Sequence, residues 1–169
     1  MPRKENTRYI ITGALIAAAY AGLTYLSNAF GLAYGPIQLR VSEILTLLPI
    51  FTTAAVPGLT IGCFIANIGS FNVADLLFGT LATLVAALMT RWLKDIKFKG
   101  IPWLAIFPPV IVNAVVIGFE IAVFYLQSEN FLWGFLISAL EVGLGQLIVC
   151  YVFGIPFYLV VEKYKIFKK

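Results

Sequence analysis

Long apolar stretches alternate with short polar or glycine- and proline-rich breaks along this chain. A helix needs about 20 mostly apolar residues to cross a bilayer. The stretches at 7–29, 40–56, 73–92, 101–127 and 131–161 reach or approach that length. The breaks carry turn chemistry. Gly31, Gly35 and Pro36 follow the first stretch, and Pro57-Gly58 ends the second. Ser70-Phe71-Asn72 precedes the fourth, and Ser128-Glu129-Asn130 precedes the last. One further stretch, 57–70, is short: as a helix it reaches only about 21 Å at 1.5 Å per residue, against a hydrocarbon core of about 30 Å.

Charge decides whether 57–70 crosses. Of the 12 Lys and Arg residues, all but Arg40 fall in three clusters. Arg3, Lys4 and Arg8 form the first, Arg91, Lys94, Lys97 and Lys99 the second, and Lys163, Lys165, Lys168 and Lys169 the third. Basic loops stay on the cytoplasmic side, so an even number of crossings must separate successive clusters. That holds only if 57–70 spans. The pattern therefore predicts an all-α membrane protein: a compact bundle of six transmembrane helices, both termini cytoplasmic, one domain over 1–169. No internal repeat is evident, and the expected location is a cell membrane that the chain crosses several times.

Composition agrees, with 61% hydrophobic and 12% charged residues, where soluble domains carry about a quarter charged. The net charge of +4 is accounted for by residues that set orientation, so nucleic-acid binding is not expected. The first stretch is too long for the apolar region of a cleaved leader. There is no His, which removes the commonest general base and metal ligand; no metal, cofactor or catalytic residue is expected. Cys63 and Cys150 lie in apolar spans and read as packing residues. No GxxxxGK[ST] loop is present, so P-loop ATP hydrolysis would fall to partner chains.

Ionisable side chains within spans are costly and usually face a cavity or a partner. Five lie there: Arg40, Glu43, Asp75, Glu120 and Glu141. In the six-span topology Glu43 and Asp75 sit within the first turn of outward-starting helices. Glu120 lies about 10 Å, and Glu141 about 15 Å, from the outer ends of theirs. All five fall in the outer half or near the midplane, as expected for a pocket open to the outside. Asn113 shares a helix face with Glu120, and Ser138, Gly145 and Gln146 accompany Glu141. Asn67, Asn72 and the rings of Phe119, Phe124, Tyr125 and Trp133 lie at similar depth. Carboxylates accept from N–H groups, amides do both and rings stack, a set suited to a flat, nitrogen-rich heterocycle. Plainer roles exist for some. Asp75 can cap a helix, Arg40 and Glu43 can pair at i, i+3, and the Trp and Tyr residues near span ends can be interfacial anchors.

The first span also carries two rows of small residues four apart: Gly13, Ala17, Ala21, and Ala14, Ala18, Gly22. Such rows let another helix approach closely, within this chain or in another subunit.

These features resemble the substrate-binding (S) component of an energy-coupling factor (ECF) transporter, and within that class the QueT family. The resemblance lies in Gly35-Pro36-Ile37-Gln38-Leu39-Arg40-Val41-Ser42-Glu43 into Leu48-Pro49. It continues in Pro57-Gly58, Gly62-Cys63, Asn67, Asp75 and Phe78-Gly79-Thr80-Leu81-Ala82-Thr83-Leu84, and ends in Gly143-Leu144-Gly145-Gln146-Leu147-Ile148-Val149-Cys150-Tyr151. It implies a small membrane subunit that captures a queuosine precursor from outside and docks on a transmembrane T component with two ATPases. It also implies docking through small residues of the first helix, at Ala14 and Ala18 or Ala17 and Ala21, and a site formed by helices four to six beneath the first outer loop. For a 7-deazaguanine such as preQ1 or queuine, one of Glu120 and Glu141 would read the guanine-like edge. The other would hold an amine, with Asn113, Asn67 and Gln146 completing the edge. Rival readings are an S component for thiamin or a pterin, a self-sufficient carrier, a membrane-embedded hydrolase with paired acids, and a scaffold whose acids only join helices.

Overall fold

The computed structural model describes residues 3–31, 33, 39–70, 72–126 and 130–167. The expected loop motif Gly35-Pro36-Ile37-Gln38 lies outside them, as do Phe71, Gln127, Ser128, Glu129, Lys168 and Lys169. The described residues form helices and no strand. In chain order these are α1 (Arg3–Ala29), α2 (Val41–Ile50), α3 (Ala55–Ile68), and α4 (Asp75–Leu93), α5 (Trp103–Leu126) and α6 (Phe131–Tyr164). Four of the six, α1, α4, α5 and α6, are long and apolar enough to cross a membrane; α2 and α3 are shorter apolar helices.

The second span differs from expectation. It ends at Ile50 rather than at 56, and it is a 3-10 helix of 10 residues. Such runs seldom exceed a few residues. Two local features favour the tighter winding here. Pro49 has no N–H for an α-type ladder bond, and the Thr46 hydroxyl donates to the Glu43 carbonyl at 2.6 Å. At about 2.0 Å per residue the segment covers about 20 Å, where an α-helix of that length would cover about 15 Å.

α2 is the axis of the bundle. On one side Leu48 packs with Ile16 and Tyr20 of α1, Leu59 and Cys63 of α3 and Ala87 of α4. On the other, Leu47 and Ile50 pack with Ile106 and Val110 of α5 and Cys150 and Tyr158 of α6. Small residues set the helix spacings. A Cβ at Gly62 would stand 2.8 Å from the Ala17 carbonyl oxygen, and one at Gly118 would stand 2.7 Å from the Ala139 Cα. So α1 and α3, and α5 and α6, approach until backbones nearly touch.

The two small-residue rows of α1 separate. Ala17 and Ala21 are buried and, with Gly13, face the chain's own core, where Gly58 and Gly62 of α3 approach. Ala14, Ala18 and Gly22 are exposed. The basic clusters gather at one end of the bundle. One recess there runs between Lys94, Lys97 and Lys165, another beside Arg8, and Phe167 borders both. Ile50, the last residue of α2, reaches the first recess, so Arg40 and Glu43 lie toward the opposite end.

Candidate substrate-binding site

The site begins at the start of α2, where Arg40 and Glu43 are buried with 8% and 3% of their surfaces exposed. The Arg40 guanidinium donates from Nε to the Ala33 carbonyl at 2.8 Å and from Nη1 to Asn67 Oδ1 at 3.2 Å. Asn67 is thereby oriented, and its Nδ2 donates to the Asp75 carbonyl at 2.9 Å. Its amide lies against Gly79, where a Cβ would come within 2.6 Å of Nδ2. One amide thus joins α3 to the start of α4 and to the residue that opens α2.

The Tyr20 hydroxyl of α1 donates to Glu43 Oε1. The second oxygen, Oε2, is buried and has no hydrogen-bond partner among the described residues. A buried carboxylate oxygen without a donor is costly, and Glu43 borders a cavity. Arg40, Thr83, Asn113 and Gln146 border it too, with Gly79, Ile117 and Val142 as apolar wall. α2, α4, α5 and α6 each contribute. The cavity is about 10 Å³, room for about one water. As it stands, the space is too small for a heterocycle. Cys63 and Cys150 form the layer behind: Thr83 donates to Cys63 Sγ at 3.2 Å, and Cys150 Sγ lies 3.6 Å from Gln146 Oε1.

Outward of the cavity stands a second polar group. Asp75 opens α4 in a π-helical turn, and Tyr125 donates to its Oδ1 at 3.0 Å. Asn72 Nδ2 in turn donates to the Tyr125 hydroxyl at 2.6 Å. Glu120 is 1% exposed, and neither of its carboxylate oxygens has a hydrogen-bond partner among the described residues. Another π-helical turn follows it directly. Such turns occur often at functional sites.

The structure thus brings Arg40, Glu43, Asn113 and Gln146 together around one cavity, with Asn67 behind Arg40 and Asp75 and Glu120 beyond it. It does not bring Glu141 or Trp133 there. Glu141 is half-buried on the flank of α6 and does not border the cavity, because the adjacent positions 138, 142, 145 and 146 turn inward instead. Trp133 is 63% exposed, as an interfacial anchor would be. Sequence reasoning missed Thr83, Gly79 and Tyr20. The first two stand within a quoted motif, and Tyr20 is the one ring on the buried face of α1 that carries a hydroxyl.

A curated relative, the queuosine precursor transporter QueT of Lactococcus lactis subsp. cremoris (strain MG1363), is 42% identical over 103 residues. That match covers 58% of this chain and 61% of the relative's length. No solved structure matches the chain. The profile of the QueT transporter family matches residues 10–163, and this nearly full-length match, on a bundle with several membrane-spanning helices, establishes that the chain belongs to that family of multi-pass membrane transport proteins.

Proposed function

We propose that this protein is the substrate-capturing subunit of an ECF-type importer and that it binds a queuosine precursor, a 7-deazaguanine, from outside the cell. The observation that carries the reading is Glu43, which borders a polar cavity and whose Oε2 is buried without a donor among the described residues. A guanine-like edge presents a ring N–H and an exocyclic amine side by side, and a carboxylate accepts from both. Arg40 supplies a donor for the ring carbonyl, and Asn113, Gln146 and Thr83 supply donors and acceptors around it. The edge is therefore assigned to Glu43 rather than to Glu120 or Glu141. The substrate named for the Lactococcus relative supports the choice of heterocycle.

The basic end of the bundle is cytoplasmic in this reading, by the rule that basic loops stay inside, so both termini lie inside and the cavity lies toward the exterior. Transport energy comes from two ATPases on partner chains, joined through a transmembrane T component. The exposed Ala14, Ala18 and Gly22 row of α1 is the face that docks on it, because small residues admit another helix at close range.

Titration calorimetry on protein in nanodiscs tests the assignment. Deazaguanines bind, thiamin and pterins do not, and Glu43→Gln loses on the order of tenfold or more in affinity, the worth of a hydrogen bond to a charged group. Equal binding of wild type and Glu43→Gln would reject the site. Uptake by the chain alone in liposomes would reject the subunit assignment.

A further inference from the structure

We propose that Glu120 and Asp75 form a separate subsite for a cationic amine carried by the substrate. The inference rests on the deazaguanine reading above and deepens it by naming the substituted, positively charged form as the preferred substrate.

The helical register places the subsite. Asn113 and Ile117 border the cavity, and Glu120 continues the same face of α5 one turn farther out, about 4.5 Å along the axis beyond Ile117. Gly79 also borders the cavity, and Asp75 stands one turn outward of it on α4. The two acids thus come from facing helices at the same level, directly outward of the space assigned to the heterocycle. Asp75 and Arg40 are the charged groups close enough to act on Glu120.

The charge balance then points to the ligand. Glu120 is fully buried with both oxygens lacking a donor. Asp75 accepts from the Tyr125 hydroxyl, a neutral donor, and its carboxyl also lies within reach of Glu120. Arg40 is committed to the Ala33 carbonyl and Asn67 and also borders the cavity beside Glu43. A buried acid, Glu120, and a half-buried one, Asp75, thus stand together with Arg40 as the cation near them. Buried carboxylates are stabilised by a positive partner, and an ammonium with three donors satisfies the open oxygens of Glu120 and the remaining capacity of Asp75. A neutral substituent does not.

The test compares two ligands of nearly equal shape, 7-aminomethyl-7-deazaguanine and 7-methyl-7-deazaguanine, by calorimetry on the full chain in nanodiscs. The readout is the ratio of the two Kd values. Wild type should prefer the cationic ligand by about thirtyfold or more, the lower range for a buried charge pair. Glu120→Gln should bring that ratio close to one, with a melting temperature no lower than that of wild type because the substitution is isosteric and both Glu120 oxygens lack a donor in the empty protein. Asp75→Asn is read instead if Glu120→Gln does not fold. A wild-type ratio near one, or a ratio that survives the substitution, overturns the subsite while leaving the deazaguanine reading in place. Failure of both ligands to bind wild type overturns the deazaguanine reading and the subsite with it.

Discussion

Removing the Tyr20 hydroxyl probes the proposed site without touching its cavity. Tyr20 is fully buried, does not border the cavity and reaches Glu43 through its bond to Oε1. Tyr20→Phe keeps the ring and its packing against Leu48 and Leu59. It leaves Glu43 with both oxygens lacking a protein donor, since Oε2 already has none among the described residues. A hydrogen bond to a charged group contributes about 1.5–3 kcal/mol, so the substitution should destabilise the empty protein by about that amount. It should also weaken deazaguanine binding, because a carboxylate held at one oxygen presents the other in a fixed direction. At about 1.4 kcal/mol per factor of ten, the affinity should fall at least about tenfold. Glu43→Gln supplies the second arm of a double-mutant cycle. In that background Tyr20→Phe should cost clearly less, giving a coupling beyond the roughly 0.3–0.5 kcal/mol expected of independent sites. Thermal unfolding and calorimetry on the four proteins measure it. Additive effects, or wild-type affinity in Tyr20→Phe, would refute the claim that Tyr20 aims the carboxylate.

Other substitutions follow from the packing. Gly118→Ala forces a methyl against the Ala139 backbone at 2.7–2.8 Å and should destabilise by about 1–3 kcal/mol. Gly22→Ala, with nothing within 4 Å of the added atom, should leave the melting temperature unchanged or raise it, since alanine favours helix by roughly 0.5–1 kcal/mol over glycine. Ala18→Leu on the exposed face of α1 should abolish ATPase-dependent uptake while the purified protein still binds its substrate, and uptake equal to wild type would move the docking face elsewhere. Cys63 and Cys150 are 1% and 0% exposed, so a maleimide should label neither until the protein is unfolded; rapid labelling of the folded protein would contradict the packing described.

The number and order of helices were legible because apolar length and basic clusters are properties of the chain itself. Arg8, Lys94, Lys97 and Lys165 converge around Phe167 at one end of the bundle. Burial of particular acids was less legible. Glu120 and Glu141 looked equivalent, each alone among apolar neighbours, yet one is sealed and the other stands half-buried on a flank. That difference comes from which side of α6 meets α5, and it is set by Gly118 against Ala139 and Gly143 against Ala114. The two rows of α1 were likewise indistinguishable by spacing. Gly58 and Gly62, on another helix, decide which row is covered.

The weight placed on Glu120 and Glu141 over Glu43 has a single physical origin in the winding of α2. Read with a period of 3.6, Arg40, Glu43 and Thr46 drift around a helix, and Glu43 appears to serve as an ion-pair partner at a helix start. With the 3.0-residue turn of a 3-10 helix, residues three apart eclipse. Glu43 and Thr46 then stand in one row along the central helix, with Arg40 in extended backbone immediately before it, all three buried. Arg40 and Glu43 border the cavity, and the row continues inward to Cys150, 3.9 Å from the Thr46 hydroxyl. A conformation that costs hydrogen-bond quality along its length is retained where it aligns the polar groups of the site. The longer rise also carries those groups farther from the basic end than an α-helix of the same ten residues would. The winding of α2 therefore sets both how Glu43 faces the cavity and how deep it stands.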